Sequence, residues 1–120
     1  MAIDPDGDFL TDFLADDADS PVVMLNLLRF ASGGRPLYEQ YTKAFGKAVG
    51  PRYGVKVIYA GDGGSPLVAE TGQQWDAVLL VRYPSRHAFR DMINDPDYQQ
   101  ITHLRRQALA EAVLQPTRPW

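Results

Sequence analysis

The run Val22-Val-Met-Leu-Asn-Leu-Leu-Arg-Phe30 does not alternate between apolar and polar residues, and this constrains the fold more than any other feature of the sequence. Apolar and β-branched residues bounded by Pro21 and by Ser32-Gly33-Gly34 predict a strand, whose successive side chains point to opposite faces. One face then carries Val22, Met24 and Leu28, and the other carries Val23, Leu25 and Leu27. The segment Trp75 to Tyr83 repeats the pattern, with Ala77, Leu79 and Val81 opposed by Val78 and Leu80. A sheet with one face in water would show a polar row along each strand. These strands predict a sheet covered on both sides.

The elements between them set the topology. Pro36 starts a helix with Leu37, Tyr41, Ala44, Phe45, Ala48 and Val49 in one stripe and Glu39, Gln40, Lys43 and Lys47 opposite, and Gly50-Pro51 stops it. Val55 to Ala60 form a second strand, and Gly61-Asp-Gly-Gly-Ser-Pro66 is a turn cluster, after which Leu67 to Glu70 either prolong that strand or form a small hairpin. Ser85 caps a helix carrying Ala88, Phe89, Met92 and Ile93, which breaks at Asn94-Asp-Pro96 and restarts from an Asp95 cap through Tyr98, Ile101, Leu104 and Ala108. Ala112 to Gln115 make the last strand. The order is βαββαβ, an α+β ferredoxin-like pattern with a four-stranded antiparallel sheet and helices on one face, spanning residues 21 to 120.

Ahead of it, residues 1 to 20 read as an acidic helical extension. Asp4-Pro5 resembles an N-cap followed by proline, and Phe9, Leu10, Phe13 and Leu14 recur at helical spacing over residues 5 to 15. Two principal helices cover one face of such a sheet, and the extension is too short to cover the other. The exposed apolar patch would exceed what monomers usually tolerate. A second copy of the chain, related by twofold symmetry, is the simplest cover.

Composition removes several classes of function. One core is what 120 residues can bury. The lack of cysteine excludes disulfide frameworks, thiolate metal sites and cysteine nucleophiles. Seven aspartates and no base fall in residues 1 to 20, which leaves twelve bases against eight acids in the rest. That mildly basic body suits small anionic ligands; its bases are scattered, which argues against nucleic acid. The amino terminus lacks a basic n-region and a long apolar stretch, which predicts a cytoplasmic protein with no membrane anchor. No His-Glu-x-x-His, paired histidines or Gly-x-Ser-x-Gly occurs, so neither a metal site nor the usual serine-hydrolase elbow is expected.

At Val23-Met-Leu-Asn-Leu-Leu-Arg-Phe30, Tyr38-x-x-Tyr41, Trp75-Asp with Tyr83-Pro-Ser85, and Asp95-Pro-Asp-Tyr98-x-x-Ile101 with Arg105, the chain resembles the family called domain of unknown function 1330. The resemblance runs from about residue 21 to residue 117, and several motifs in the right order make it specific. It implies the dimeric α/β-barrel superfamily, in which two ferredoxin-like protomers close their sheets into a barrel with pockets between sheet and helices. That superfamily includes cofactor-free monooxygenases, lactone isomerases, haem-handling enzymes and regulatory ligand binders, so fold alone does not decide function.

Asn26 is the most informative single residue, because a carboxamide in an apolar strand must find partners or cost about 1 to 3 kcal/mol. Two readings stay open: a bond to a neighbouring loop or buried water, or a grip on a ligand carbonyl or developing oxyanion. Arg29, three residues on, lies on the opposite face, at the rim or the dimer contact. His87, in the first turn of its helix, reads as an exposed surface histidine or as a general base, since the positive dipole end would disfavour imidazolium. Tyr38 and Tyr41 flank the inner edge of the first helix, where a tyrosine more often packs its ring than touches a ligand. Arg82 is an interface ion-pair partner or an anion anchor. Tyr38, Tyr41, Arg82 and Tyr83 complete the candidate ligand-binding set, with Asn26 and His87 as the candidate catalytic pair. His103 reads as solvated, and Trp75 and Trp120 as hydrophobic plugs.

The expected function is a cofactor-independent enzyme of monooxygenase, isomerase or cyclase type acting on an oxygenated organic molecule. Asn26 and a tyrosine hydroxyl would stabilise an enolate-like oxygen while His87 moves a proton. A non-catalytic ligand-binding or stress-linked dimer is the alternative, and haem handling a third.

Overall fold

A computed structural model of the chain describes residues 3–16 and 19–120. Its centre is β1 (Val22–Phe30), which pairs antiparallel with β3 (Ala77–Tyr83) on one side and with β4 (Leu109–Thr117) on the other. Asn26 stands opposite Leu79 in the first ladder and opposite Leu114 in the second. The outer edge of β3 takes β2 (Lys56–Asp62), giving the order β2-β3-β1-β4. The crossovers carry α2 (Gly34–Ala44) and the series α3 (Arg86–Ile93), α4 (Pro96–Gln99) and α5 (Thr102–Ala108). This is the ferredoxin-like α+β arrangement that the element order predicts.

Burial divides β1 by parity. Val22, Met24 and Leu28 are at most 2% exposed and sit in the core beneath the helices with Ala77, Val81 and Tyr83 of β3. Val23, Leu25 and Leu27 face the other way, in register with Arg82, Leu80 and Val78 and, across β4, with Thr117, Gln115 and Val113. None of these open-face residues belongs to the core cluster. The extension forms α1 (Gly7–Ala15), which does not cover that face. It packs on α3, with Phe13 edge-on to Phe89 at 5.5 Å and the Arg86 guanidinium 4.4 Å above the Phe13 ring.

Several boundaries differ from expectation for local reasons. Asp6, not Asp4, caps α1, its Oδ1 accepting from the Asp8 N–H at 2.8 Å, which leaves Asp4 and Pro5 outside the helix. α2 begins at Gly34, ahead of Pro36, where the backbone passes so close to Ala108 that a Cβ would lie 2.0 Å from its carbonyl oxygen. A π turn at Phe45–Val49 follows α2, and a 3₁₀ turn at Gly50–Tyr53 follows that. The wider turn shifts the apolar stripe by one residue, so Val49 is buried and Ala48 is exposed. Leu67 to Glu70 form neither strand nor hairpin; β2 ends at Asp62, and Leu67 and Val68 lie free on the surface. The last strand is longer than Ala112 to Gln115, because both of its ends keep pairing with β1. Trp120 is fully exposed and plugs nothing, whereas Trp75 is half-buried under the Arg29 guanidinium. Among the described residues no helix is long and apolar enough to cross a membrane.

The break between α3 and α4 is fastened by one carboxylate. Asp95 caps α4 by accepting from the Asp97 N–H at 2.8 Å, and it also accepts from the Tyr53 hydroxyl at 2.5 Å and Arg52 Nη1 at 2.7 Å. Those donors, the Tyr53 hydroxyl first, hold its carboxyl at about 2 against an ordinary 3.8. A carboxyl lowered by folding stabilises the fold above its unfolded value and stops doing so as pH falls through its folded one. Asp95→Ala is therefore expected to lower the melting temperature near neutral pH by roughly 5 °C. Thermal denaturation followed by circular dichroism between pH 3.8 and about 2 should then show a smaller loss for the variant than for the wild type.

Candidate functional site

A cavity of about 260 Å³ opens between the sheet and the helices, just below the usual range of ligand pockets. Its floor is Asn26, placed there by strand parity between Met24 and Leu28 and 8% exposed. The carboxamide is poorly employed. Its one hydrogen bond to a described residue is a long 3.4 Å contact from Nδ2 to the Met24 carbonyl. Beside it β3 ends in Tyr83, inward and 6% exposed. From α2, Tyr41 meets Tyr98 of α4, hydroxyl to hydroxyl at 3.0 Å.

Arg105 of α5 completes the wall and is only 6% exposed. Nη1 donates to the Ile3 carbonyl at 2.6 Å and to Asp4 Oδ1 at 3.4 Å. Nη2 is sealed from solvent and has no hydrogen-bond partner among the described residues. The charge of this guanidinium reaches Tyr38, Tyr41 and Tyr83, where it opposes the effect of burial. Burial wins at all three: it pushes the Tyr38 hydroxyl up to about 12 and raises Tyr41 and Tyr83 well above the ordinary tyrosine range. These hydroxyls are neutral donors and acceptors at any physiological pH, not bases.

Of the residues singled out from sequence, Asn26, Tyr41 and Tyr83 come together on this cavity. Tyr38 is buried with its ring 5.5 Å from that of Tyr41, but it lines a second, shallower groove beside β2 together with Phe30 and Arg35. Arg82 is displaced from the site altogether. It stands opposite Val23 and Lys56 on the open face of the sheet, because strand parity sends it the other way from Tyr83. His87 does not line the cavity either; it is half-exposed in the first turn of α3, with Nδ1 3.1 Å from Asp19 Oδ1. His103 is exposed. Arg29 is an open-face residue that pairs with Glu111 and donates to the Gly72 and Gln74 carbonyls.

Two wall residues, Tyr98 and Arg105, were not among the sequence candidates. The signal was present: Arg105 stands seven residues after Tyr98, four after Ile101 and three before Ala108, which is the apolar stripe of the last helical crossover. An arginine in that stripe has a reason to be there.

The burial of the tyrosines can be checked by absorbance titration of the folded protein. Tyr41→Phe and Tyr83→Phe are expected to leave the ionisation near the ordinary value of 10.0 unchanged, since neither residue contributes to it. A smaller absorbance change in that range would mean that water reaches the cavity freely.

The same arrangement of strands and helices occurs in solved structures. RPA0582, a protein of unknown function from Rhodopseudomonas palustris, is 31% identical over 98% of this chain and 96% of its own, with a TM-score of 0.88. Hydroxynitrile lyase from Passiflora edulis is 13% identical over 82% of this chain and 93% of its own, with a TM-score of 0.62. A dimeric protein of unknown function and ferredoxin-like fold from Bacteroides fragilis is 10% identical over 81% of this chain and 94% of its own, at 0.56. At those two lower identities the likeness is one of fold. Among curated proteins none matches the chain. The family model described as a domain of unknown function, DUF1330, matches residues 29–115, and the chain belongs to that family.

Proposed function

We propose that the protein is a homodimer that binds a small oxygenated organic molecule in the cavity between sheet and helices. The observation that carries this is Asn26: a buried carboxamide on the cavity floor whose hydrogen-bonding capacity the described residues leave almost unused. Natural interiors rarely keep such a group without a partner. Around it the Tyr41–Tyr98 pair and Tyr83 offer neutral hydroxyls, which suit carbonyl, hydroxyl or carboxyl oxygens. The apolar open face of Val23, Leu25, Leu27, Val78, Leu80 and Val113 supports the dimer, since a second copy would cover it by the same patch.

A second reading, cofactor-independent catalysis, draws support from the same donors. Asn26 Nδ2 and a neutral tyrosine hydroxyl are what an enolate-like oxygen would need as charge develops on it. The proton step no longer falls to His87, which lies outside the cavity beside Asp19. Binding is the reading the geometry supports more directly.

Thermal-shift screening of small ketones, aldehydes, phenols and acids against wild type and Asn26→Leu tests the assignment. The variant is expected to melt higher without ligand, because leucine leaves no weakly bonded polar group on the cavity floor. It is also expected to lose the shifts that wild type shows. Unchanged ligand shifts in Asn26→Leu would remove the cavity floor from the site.

A further inference from the structure

Arg105 is a cation with an incomplete set of partners. Its side chain is 7% exposed, and the groups that share its charge from within the fold are neutral tyrosines. A guanidinium presents two parallel donors that match one planar carboxylate. Here only one of them is served. Nη1 has the Ile3 carbonyl and a distant Asp4 oxygen, while Nη2 has no partner among the described residues.

The counter-ion that is present is loosely held. Asp4 is half-exposed, sits at 3.4 Å from Arg105 and divides its other oxygen to Arg106 Nε at 3.6 Å. It belongs to the segment ahead of α1, and with Pro5 and Leu10 it forms part of the cavity wall. The two ends of this extension are fastened differently. At the far end, Phe13 meets Phe89 edge-on, its carbonyl accepts from Arg86 Nη1 at 3.1 Å, and the Arg86 guanidinium covers its ring. At the near end, among the described residues, Ile3 and Asp4 make polar ties to Arg105 and Arg106. Ile3 and Leu10 also pack against the core, so lifting the near end means breaking that contact along with the ties to Arg105 and Arg106 while the far end stays docked.

We infer that the ligand of this cavity carries a carboxylate, that Arg105 receives it through both Nη atoms, and that Asp4 is the internal stand-in it displaces as the segment before α1 lifts. This rests on the reading of the cavity as the ligand site. Asp4 already shows that a carboxylate reaches Nη1. Once the segment before α1 has lifted, a ligand carboxylate would serve Nη1 and the otherwise sealed Nη2 together, and Asn26 and the tyrosine hydroxyls would take the ligand's other polar groups.

The test is calorimetric titration of the full-length protein with acetate, benzoate and phenylacetate, each matched with its amide. Wild type, Asp4→Asn and Arg105→Met are compared, with Asn26→Leu as the control for cavity binding. Wild type is expected to bind at least one acid more tightly than its amide. Asp4→Asn should tighten that acid by roughly tenfold, the scale of one charge-assisted bond, and leave the amide unchanged. Arg105→Met should make acid and amide equal. Should that variant fail to fold, the exposed Asp4 change still decides. Amides that bind as well as acids in both wild type and Asp4→Asn, and are lost in Asn26→Leu, would overturn the carboxylate inference and leave the cavity reading standing. No binding of any acid or amide would overturn both.

Discussion

The rest of the structure depends on one strand being apolar on both of its faces. β1 lies in the middle of the sheet, and its even-numbered side chains, Val22, Met24 and Leu28, anchor the core under the helices. Its odd-numbered side chains continue a second apolar row through Leu80, Val78 and Val113, half-buried and outside the core cluster. Burial of apolar area is the dominant favourable term in folding and association. A protein that builds both faces this way buries one layer itself and offers the other as the face on which the proposed dimer would pair.

The same parity makes the site. Asn26 interrupts the buried row and so lands on the core side, where Tyr83 reaches it from β3 and Tyr41, Tyr98 and Arg105 reach it from the helices. The cavity is therefore an apolar shell around a polar knot in which the buried groups are neutral tyrosine hydroxyls, the Asn26 carboxamide and the Arg105 guanidinium. Charge explains how the extension lies. Its carboxylates meet bases of the body at defined points, Asp4 at Arg105 and Arg106, Asp16 at Arg86 and Arg118, and Asp19 at His87. Exposed pairs of this kind add little stability one by one, but they orient a segment that its own short helix could not hold.

What could be read from sequence was what periodicity encodes. The topology follows from alternation, caps and breakers, and Ser85 and Asp95 cap the helices expected of them because their side chains serve N–H groups only a few residues away. Asn26 was legible since a polar residue in an apolar strand is conspicuous. Arg105 was legible only through its place in the apolar stripe of the last crossover; beside Arg106 and His103 it passes for a solvated helix face until the tertiary fold turns it inward. For His87 the sequence places the helix terminus and leaves base or surface open; the rotation of α3 that aims the ring at Asp19 depends on packing of Phe89 against Phe13 and Tyr83. The apolar pair Leu67-Val68 promised a strand, but Pro66 and its neighbouring glycines left the backbone no partner to pair with. The π turn at Phe45–Val49 was invisible for a related reason, since one extra residue in a turn leaves the local composition unchanged.

Static light scattering on the purified protein at micromolar concentration tests the two-faced sheet most directly. A particle of twice 13.4 kDa, which dissociates only on unfolding or when Leu25 and Leu80 are replaced by charged residues, is the predicted result. A stable, well-folded particle of 13.4 kDa would contradict it, because the second apolar row would then be tolerated in water.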